Sequence, residues 1–455
     1  MAHLGKGEIG DFLTGRLELA DRQRVLRHLG GCSPCRRRLQ AVAEILLGDE
    51  PWMAAEPVAE DQYEEALARS IVSARNLGKR WRKEREKLGR ALTLLDQAPG
   101  GLGDENFPWR EAQALHGWPL CEALLRKSYE ARFTDPKRML SLAESAVGVA
   151  KHLKTEKYPW PGFVADLRAR AFAELGNAYR LNLRFQDAES AFAQARVFLD
   201  EGTGDSLLHA QVLDLEASLR SSQRRLEDAI VLLDQVYRFY LEAGDSHLAG
   251  RALISKGSNT LYQGNPEEAV ILLQEGLQKL DFKRDPSLGT LCRLNIIDAL
   301  TRAGKNYQAS LQLLQSGLRE KLADAPLNLL KLRWVEGKIH AGLGRPLKAE
   351  RAFFEVRLEY LRLGQVYDAA LVGLELAAVW LPQGKVAEVR ELAEEMYETF
   401  AELGIQPEAA RALYFVREAC LYQAVTVAMI ERVRQFLERL PWNPGLRFDP
   451  ALFAS

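Results

Sequence analysis

A small side chain recurs at a nearly constant interval between residues 188 and 389 of this chain. The intervals are 41, 40, 40, 40 and 40 residues, and the positions are Ala188, Ala229, Ala269, Ala309, Ala349 and Val389. Glycine recurs with the same phase, five residues before each of the last four, at Gly264, Gly304, Gly344 and Gly384. A fixed period of this length is the signature of stacked helical repeats, in which each unit packs only against its neighbours. The sequence therefore predicts an all-α repeat protein.

The best-preserved unit is Phe172–Ala195, FAELGNAYRLNLRFQDAESAFAQA. Its Leu-Gly-x2-Tyr and Ala-x3-Phe-x2-Ala spacings resemble the tetratricopeptide (TPR) helix pair. The resemblance implies two antiparallel helices that approach closely at Gly176 and Ala188, with Phe192 filling the space beside them. Armadillo and HEAT repeats have similar periods, but these anchor residues favour TPR. A right-handed superhelix of about 7–8 helix pairs is expected.

The chain is predicted to divide at loop signals and at changes in the repeat pattern. The linker reads DEPWMAAEPVAE, and the final helix pair has lost the repeat anchors, with Arg432, Arg434, Glu438 and Arg439 expected on its outer face. The predicted segments are a small helical module at 1–48, a linker at 49–60, a long amphipathic helix at 61–98, a divergent helix pair at 119–155, six repeats at 163–405, a capping pair at 406–440 and a tail at 441–455.

The N-terminal module is too small to fold securely on the core of three short helices. Its spacing His28-x3-Cys32-x2-Cys35 joins the last turn of one helix, a Gly-Gly turn and the start of the next helix. These three ligands can converge on one tetrahedral ion, and thiolates with imidazole favour Zn²⁺. A closed site of four ligands would be structural rather than catalytic. The alternative is that no metal is bound, so that Cys32 and Cys35 are reduced thiols and the N-terminal His3 is mobile.

The pattern HL-x7-FL-x-G-x-L-x8-HL-x2-C-x2-C resembles the zinc-binding anti-sigma family over about 45 residues. The resemblance implies that His3, His28, Cys32 and Cys35 are the ligands of one structural Zn²⁺. Members of that family clasp a sigma factor and keep it from RNA polymerase, and some release it when their thiols oxidise. This chain departs from the family because no membrane segment follows and because His3 stands where a cysteine is usual. Oxidation therefore has only Cys32 and Cys35 to act on.

The long helix carries a basic stretch between Arg75 and Arg90, with eight basic and two acidic residues. A nucleic-acid contact is one interpretation. The other is the solvated face of an amphipathic helix, which is favoured because an apolar stripe runs beside the charges.

Aligning the repeats places a set of polar residues on the first helices, where they would line a concave groove. The basic members could clamp an acidic segment or a terminal carboxylate of a protein or peptide partner. The alternative is that these are ordinary solvated positions. The predicted groove residues are Arg170, Asn177, Arg180, Arg251, Lys331, Trp334 and Lys338, with Asp214, Ser218, Ser258 and Asp298 beside them.

Nothing in the sequence has the pattern of a catalytic site. The glycines mark turns between helices rather than phosphate-binding loops, and the remaining histidines stand singly. Cys121, Cys292 and Cys420 lie in apolar helical contexts and are expected in the core. Without a signal peptide or an apolar run of ~20 residues, a cytoplasmic, bacterial protein is expected.

Three functional hypotheses follow. The first is a non-enzymatic adaptor that binds partners through the repeats and regulates transcription through an anti-sigma-like zinc module. The second is a TPR scaffold whose zinc module is only structural. The third is a thiol and zinc redox sensor.

Overall fold

The computed structural model describes residues 3–13, 17, 19–32, 34–35, 37–39, 60–97, 109–132, 134–158, 161–404, 406–442 and 445–452. All regular structure within these ranges is α-helix or short 3-10 helix, as predicted. The predicted linker, apart from Glu60, lies outside the described residues. None of the described helices has the length and apolarity needed to cross a membrane.

The chain forms two compact units, Met1–His209 and Ala210–Ser455. The first unit begins with two short helices, continues with one long helix and ends with helix pairs. Its helices are Lys6–Leu13, Leu19–Gly31, Glu60–Gln97, Trp109–Ala114, Trp118–Ala131, Pro136–Lys151, Pro161–Leu181 and Phe185–Asp200. The next helix, Ser206–Ser222, spans the boundary between the units.

The second unit consists of helices that alternate between the first and second member of a pair. They are Leu226–Glu242, Ser246–Gln263, Pro266–Lys279, Pro286–Arg302, Asn306–Ser316 with Leu318–Lys321, Pro326–Gly342, Pro346–Arg362, Val366–Trp380, Val386–Glu402, Pro407–Leu421 and Val427–Arg439. Two of the second helices, Pro266–Lys279 and Pro346–Arg362, begin with proline. The ring of proline fixes φ near the helical value, which favours this residue at the first position of a helix.

The predicted period is confirmed by where the second helices begin. Their first residues are spaced as the small side chains are, at Phe185, Leu226, Pro266, Asn306, Pro346 and Val386. The recurring small side chains themselves are 0–1% exposed. The close approach predicted at Gly176 is also present, since a Cβ there would lie 2.8 Å from Phe192 Cε2. Gly337 repeats this contact with Phe353, at 2.6 Å from Cε1.

The turn inside each pair requires the left-handed backbone region. Gly264, Gly304, Gly344 and Gly384 have φ values of 97°, 71°, 67° and 75°. The same turn in the two earlier repeats is held by Leu183 and Arg224, with φ values of 60° and 57°. A Cβ in this region clashes with the following carbonyl, which costs about 1–2 kcal/mol. The first two repeats therefore carry backbone strain that glycine avoids in the later ones.

Replacing Leu183 with glycine is expected to stabilise the first unit by about 0.5–1 kcal/mol. The side chain is 72% exposed, so its removal sacrifices little packing, while the strained backbone relaxes. Chemical denaturation of the full chain measures the change in free energy of unfolding. The matched control is Gly344→Ala at the same turn position, which should lose about 1 kcal/mol. A destabilised Leu183→Gly variant would contradict the strain assigned to this turn.

Candidate functional site

The metal site begins with local chain geometry at the end of Leu19–Gly31. The backbone N–H of Cys32 donates to the carbonyl of His28 at 3.0 Å, which continues the helical turn across the glycines. Residues 34–35 are helical again, so Cys35 is only one turn further on. This path places the imidazole and both thiols on one side of the turn, as their spacing predicted.

Four side chains converge at this point, namely those of His3, His28, Cys32 and Cys35. Their ligand atoms all lie within 4.8 Å of one another. His3 Nδ1 is 3.4 Å from Cys32 Sγ and 3.5 Å from Cys35 Sγ, and His28 Nε2 is 3.2 Å from Cys35 Sγ. The nitrogen–sulfur edge of a tetrahedral zinc site is about 3.6 Å, from Zn–S and Zn–N bonds of about 2.3 and 2.0–2.1 Å. The observed spacing therefore fits zinc.

The surroundings hold the cluster in place. Leu4 donates its backbone N–H to Cys35 Sγ at 3.4 Å, and such a bond stabilises a thiolate ligand. An ion pair of 2.6 Å between Arg24 and Glu8 joins the two helices of the module. Cys35 is fully buried, whereas His3 is exposed. Four protein ligands leave no open coordination position, so the module holds one structural zinc ion rather than a catalytic one.

The predicted groove residues in the first unit are engaged by partners within the chain. Arg170 forms an ion pair of 2.6 Å with Glu122. Asn177 is buried and accepts two bonds from Arg180, at 3.1 and 2.8 Å. Next to them, burial raises the pKa of Glu174, and the charge of Arg170 only partly opposes this effect. These side chains form a polar network in the layer of first helices.

The predicted residues in the second unit are also in contact with polar neighbours. Burial raises the pKa of Asp214, and the charge of Arg251 opposes that increase. Lys331 donates to Asn295 at 3.2 Å. Lys338 lies 4.8 Å from the ring centre of Trp334 and 3.5 Å from Asp298. Asp298 and Lys338 are 40 residues apart, which is one repeat, so they occupy equivalent positions in successive first helices. The 40-residue alignment could therefore have predicted that they lie side by side.

The predicted position of Arg434 is wrong. It was expected on the outer face of the capping pair, but it is 9% exposed and contacts Glu375 on Val366–Trp380 at 3.7 Å. Glu438 likewise contacts Arg302 at 3.8 Å. A basic residue in a final helix is usually solvated, and the position of that helix against earlier repeats explains why Arg434 is buried.

The isolated histidines differ in their surroundings. His116 and His152 are exposed, and His152 contacts the carbonyl of Gly148 at 2.8 Å. His247 lies in the first turn of Ser246–Gln263, where it is buried and accepts the backbone N–H of Asp281 at 3.1 Å. Burial lowers its pKa. Among the described residues, the His3 cluster is the one group of His, Cys, Asp or Glu side chains arranged to hold a metal.

Asp298 provides a pH-dependent prediction. Burial alone would raise its pKa, but the charges of Lys338 and Arg302 outweigh burial and lower it. A lowered pKa stabilises the fold above the unfolded value of about 3.9, and this contribution is lost as the pH falls through the folded value. Asp298→Asn should therefore cost about 3 kcal/mol at neutral pH, because it leaves two cations without their shared partner.

Unfolding of this variant and of the native chain should be compared from pH 7 to pH 2. The difference in free energy of unfolding between the two chains should become smaller below about pH 4, because Asp298 of the unsubstituted chain is then protonated in the unfolded state. The control is Asp324→Asn, since Asp324 is exposed and its replacement should change stability little. A difference that stays constant with pH would contradict the charge on Asp298 as its cause.

A family model described as "Putative zinc-finger" matches residues 7–36. The match includes His28, Cys32 and Cys35 and begins after His3. Together with the converging side chains, it confirms the zinc-binding module predicted from the spacing. A search of curated proteins finds no match to the chain.

Solved structures that are similar to this chain include the following three. A Rap protein complexed with competence and sporulation factor is 11% identical, with a TM-score of 0.48, over 71% of this chain and 90% of that one. Aspartyl phosphate phosphatase F from Bacillus subtilis is 14% identical, with a TM-score of 0.47, over 88% of this chain and 95% of that one. A signal-transduction ATPase with a tetratricopeptide repeat sensor, from Pyrococcus horikoshii, is 14% identical, with a TM-score of 0.46, over 88% of this chain and 54% of that one.

Proposed function

We propose that this protein is a non-enzymatic regulator in which a zinc module and a helical-repeat array each bind a protein partner. The observation that carries the proposal is the four-ligand cluster of His3, His28, Cys32 and Cys35 in the same chain as the helix pairs. A metal enclosed by four protein ligands shapes a surface and offers no position for substrate. Stacked helix pairs, in turn, present extended surfaces for binding.

The proposed partner of the zinc module is a sigma factor. The motif that supports this is the resemblance of residues 3–35 to the anti-sigma family, whose module clasps a sigma factor through its helices. Leu26 is 57% exposed on Leu19–Gly31, so this helix offers an apolar side chain beside the metal site. Binding would withhold the sigma factor from RNA polymerase, which makes the chain a regulator of transcription that acts in the cytoplasm.

The proposed partner of the repeats is a protein or peptide. The polar side chains on the first helices, including Arg251 and Lys331, are half-buried rather than enclosed, so an incoming carboxylate can reach them. These contacts are the ones expected to give the repeats their selectivity.

The role of the zinc module is tested by co-purification from the host. The full chain is compared with a Cys32→Ser, Cys35→Ser variant and with Cys292→Ala, which removes a buried cysteine far from the site in sequence. A sigma factor should accompany the full chain and the Cys292→Ala control and be absent from the double variant. If every partner is retained by the double variant, the chain is instead a scaffold with a purely structural zinc module.

A redox response is the second candidate, and the proximity of two thiolates favours it. Cys32 is partly exposed, and its sulfur lies within 4.8 Å of that of Cys35. Peroxide could oxidise the two thiolates to a disulfide, with reduction of the peroxide to water and loss of the zinc. Zinc release on titration with hydrogen peroxide, reversed by dithiothreitol and zinc, is the expected result. Retention of zinc at millimolar peroxide would leave the metal with a structural role alone.

A further inference from the structure

The last helix, Val427–Arg439, lies in an unexpected position. It packs mainly against Val366–Trp380, the first helix of the preceding pair, rather than against its own pair member Pro407–Leu421. Val366–Trp380 is already contacted by the second helices Pro346–Arg362 and Val386–Glu402. The last helix therefore covers the face that these second helices leave free, which is the face on which the groove residues were predicted.

The apolar side of this contact is a regular stripe. Ile430, Val433 and Leu437 are each 0% exposed, and their spacing of three and four residues places them on one face of the helix. They join the core cluster that contains residues of Val366–Trp380. In addition, the hydroxyl of Tyr367 donates to the carbonyl of Leu437 at 2.5 Å.

The first helices contribute one half of a ring of charges to the contact. Asp298 lies 3.3 Å from Arg302 and 3.5 Å from Lys338, and Lys338 lies 3.8 Å from Glu375. These four side chains come from three successive first helices. They carry two positive and two negative charges, so this half is neutral and internally paired.

The last helix contributes the other half. Arg434 pairs on its own helix with Glu431 and Glu438. Two longer contacts join the halves, with Arg434 Nε 3.7 Å from Glu375 Oε1 and Arg302 Nη2 3.8 Å from Glu438 Oε1. Burial alone would raise the pKa of Glu431, but the hydrogen bond and the charge of Arg434 lower it, and the charge of Lys338 adds a smaller effect in the same direction. Each charge therefore has a partner within its own half, and that partner is the closest one for all except Glu375, whose Oε1 is 3.7 Å from Arg434 Nε and 3.8 Å from Lys338 Nζ.

This division makes the contact separable. Breaking a buried ion pair is costly when it leaves a charge without a partner. Here each half keeps its own partners when the helix leaves, so the charges select the register of docking without locking the helix in place. What departure exposes is the aliphatic stripe, and another helix with a matching stripe can cover the same surface.

We propose that this face of the first helices is a docking site for an amphipathic helix, and that Val427–Arg439 occupies it until a partner helix of the same pattern displaces it. The inference rests on the proposed role as a partner-binding regulator and names the chemistry of that partner. The partner helix carries aliphatic residues at the positions of Ile430, Val433 and Leu437. It places arginine after the second of them, where it faces Glu375, and an acidic residue after the third, where it faces Arg302.

The test uses a fluorescent peptide of residues 425–442 as the probe and the full chain as the receptor. The probe is titrated into the native chain and into a Val433→Asp, Leu437→Asp chain, in which the attached helix can no longer dock. Fluorescence anisotropy should show at least tenfold tighter binding to the double variant, because its docking site is vacant. Equal binding to both chains, or no binding to a double variant of native helix content, would overturn the proposal.

Charge complementarity gives a second, specific measurement. A probe with Arg434→Glu should bind the double variant at least tenfold more weakly, and adding Glu375→Arg to that chain should restore binding. A general loss of packing would not produce this recovery. If the restored pair fails to recover binding, the assignment of Glu375 as the arginine's partner is overturned.

A third measurement needs no substitution in the chain, in case the double variant does not fold. The same peptide is prepared with heavy isotopes and without the fluorophore, and it is added in excess to the native chain. Amide hydrogen exchange is then followed at residues 427–439 of the chain. Displacement should accelerate exchange there at least tenfold, and unchanged exchange would overturn the proposal. The molar mass of the native chain is measured by light scattering. A dimer would assign the docked helix to a second copy of the chain and would overturn the proposal that Val427–Arg439 occupies the site on its own chain. None of these measurements depends on a sigma factor, so their failure is distinguishable from failure of the proposed function.

Discussion

Replacing Cys32 and Cys35 with serine is expected to remove the zinc and unfold the N-terminal module while the helical repeats remain folded. The described core of the module consists of Leu4, Ile9, Val25 and Leu29 with Cys35 itself, which is too small to stabilise helices of this length. A structural zinc site contributes about 10–16 kcal/mol in comparable small domains, and that binding energy is folding energy. Loss of this binding energy makes the double substitution the most destabilising change expected for the chain.

Metal analysis by mass spectrometry should find about one zinc per native chain and none in the double variant. Amide exchange should become fast in helices Lys6–Leu13 and Leu19–Gly31 and stay slow in the repeats, because each repeat packs only against its neighbours. The control is Cys292→Ala, which should keep the zinc. Burial raises the pKa of Cys121 and of Cys292 to about 12. These thiols should therefore not react with alkylating reagents in the folded chain.

A double variant that retains stoichiometric zinc would show that other side chains hold the metal. A zinc-free variant with slow exchange in helices Lys6–Leu13 and Leu19–Gly31 would show that the small core suffices on its own. Either result contradicts the structural role of the metal. Addition of a chelator to the native chain provides the same comparison without a substitution, and it should release the zinc and accelerate exchange in the same residues.

The parts of the structure that sequence predicts well are those determined over short distances along the chain. His28, Cys32 and Cys35 are separated by one turn of helix, so their convergence follows from local geometry alone. The repeat turns are similar, because glycine at a fixed interval reports a left-handed backbone position. His3 is different, since only the family resemblance implied that it joins the cluster.

The parts that sequence does not predict depend on how distant segments pack. Arg170 pairs with Glu122, which belongs to a divergent helix pair without a detectable phase. Arg434 was placed on an outer face because a last repeat helix usually faces solvent. The packing of that helix onto Val366–Trp380 is determined by tertiary contacts. In the sequence it is indicated only by the aliphatic stripe, which any amphipathic helix has.

Replacing Phe353 with alanine is expected to cost about 3–5 kcal/mol, the second-largest effect predicted for the chain. Phe353 is 0% exposed and fills the space that Gly337 leaves on the facing helix. Because alanine leaves a cavity that the packed helices cannot close, the loss exceeds the transfer energy of the ring alone. Phe353→Leu keeps most of the volume and should cost less than about 2 kcal/mol.

Gly337, which faces Phe353, should tolerate alanine poorly while the ring is present and better once the ring is removed. Gly337→Ala places a Cβ 2.6 Å from the Phe353 ring, so it should cost about 1–3 kcal/mol in the native chain. In the Phe353→Leu background the ring is gone, and the same substitution should cost at least about 1 kcal/mol less. Amide exchange at Pro326–Gly342 and Pro346–Arg362 measures this locally, because long repeat arrays need not unfold in one step.

The control for alanine itself is Gly148, which is exposed within Pro136–Lys151 and has no atom within 4 Å of a Cβ built there. Gly148→Ala should stabilise its helix by about 0.5–1 kcal/mol, since only the conformational freedom of glycine is removed. The opposite signs at Gly148 and Gly337 separate helix propensity from close packing. If both substitutions stabilise the chain, Gly337 is not a contact residue, and the pairing of glycine with an aromatic ring sixteen residues later cannot be what holds these repeats in register.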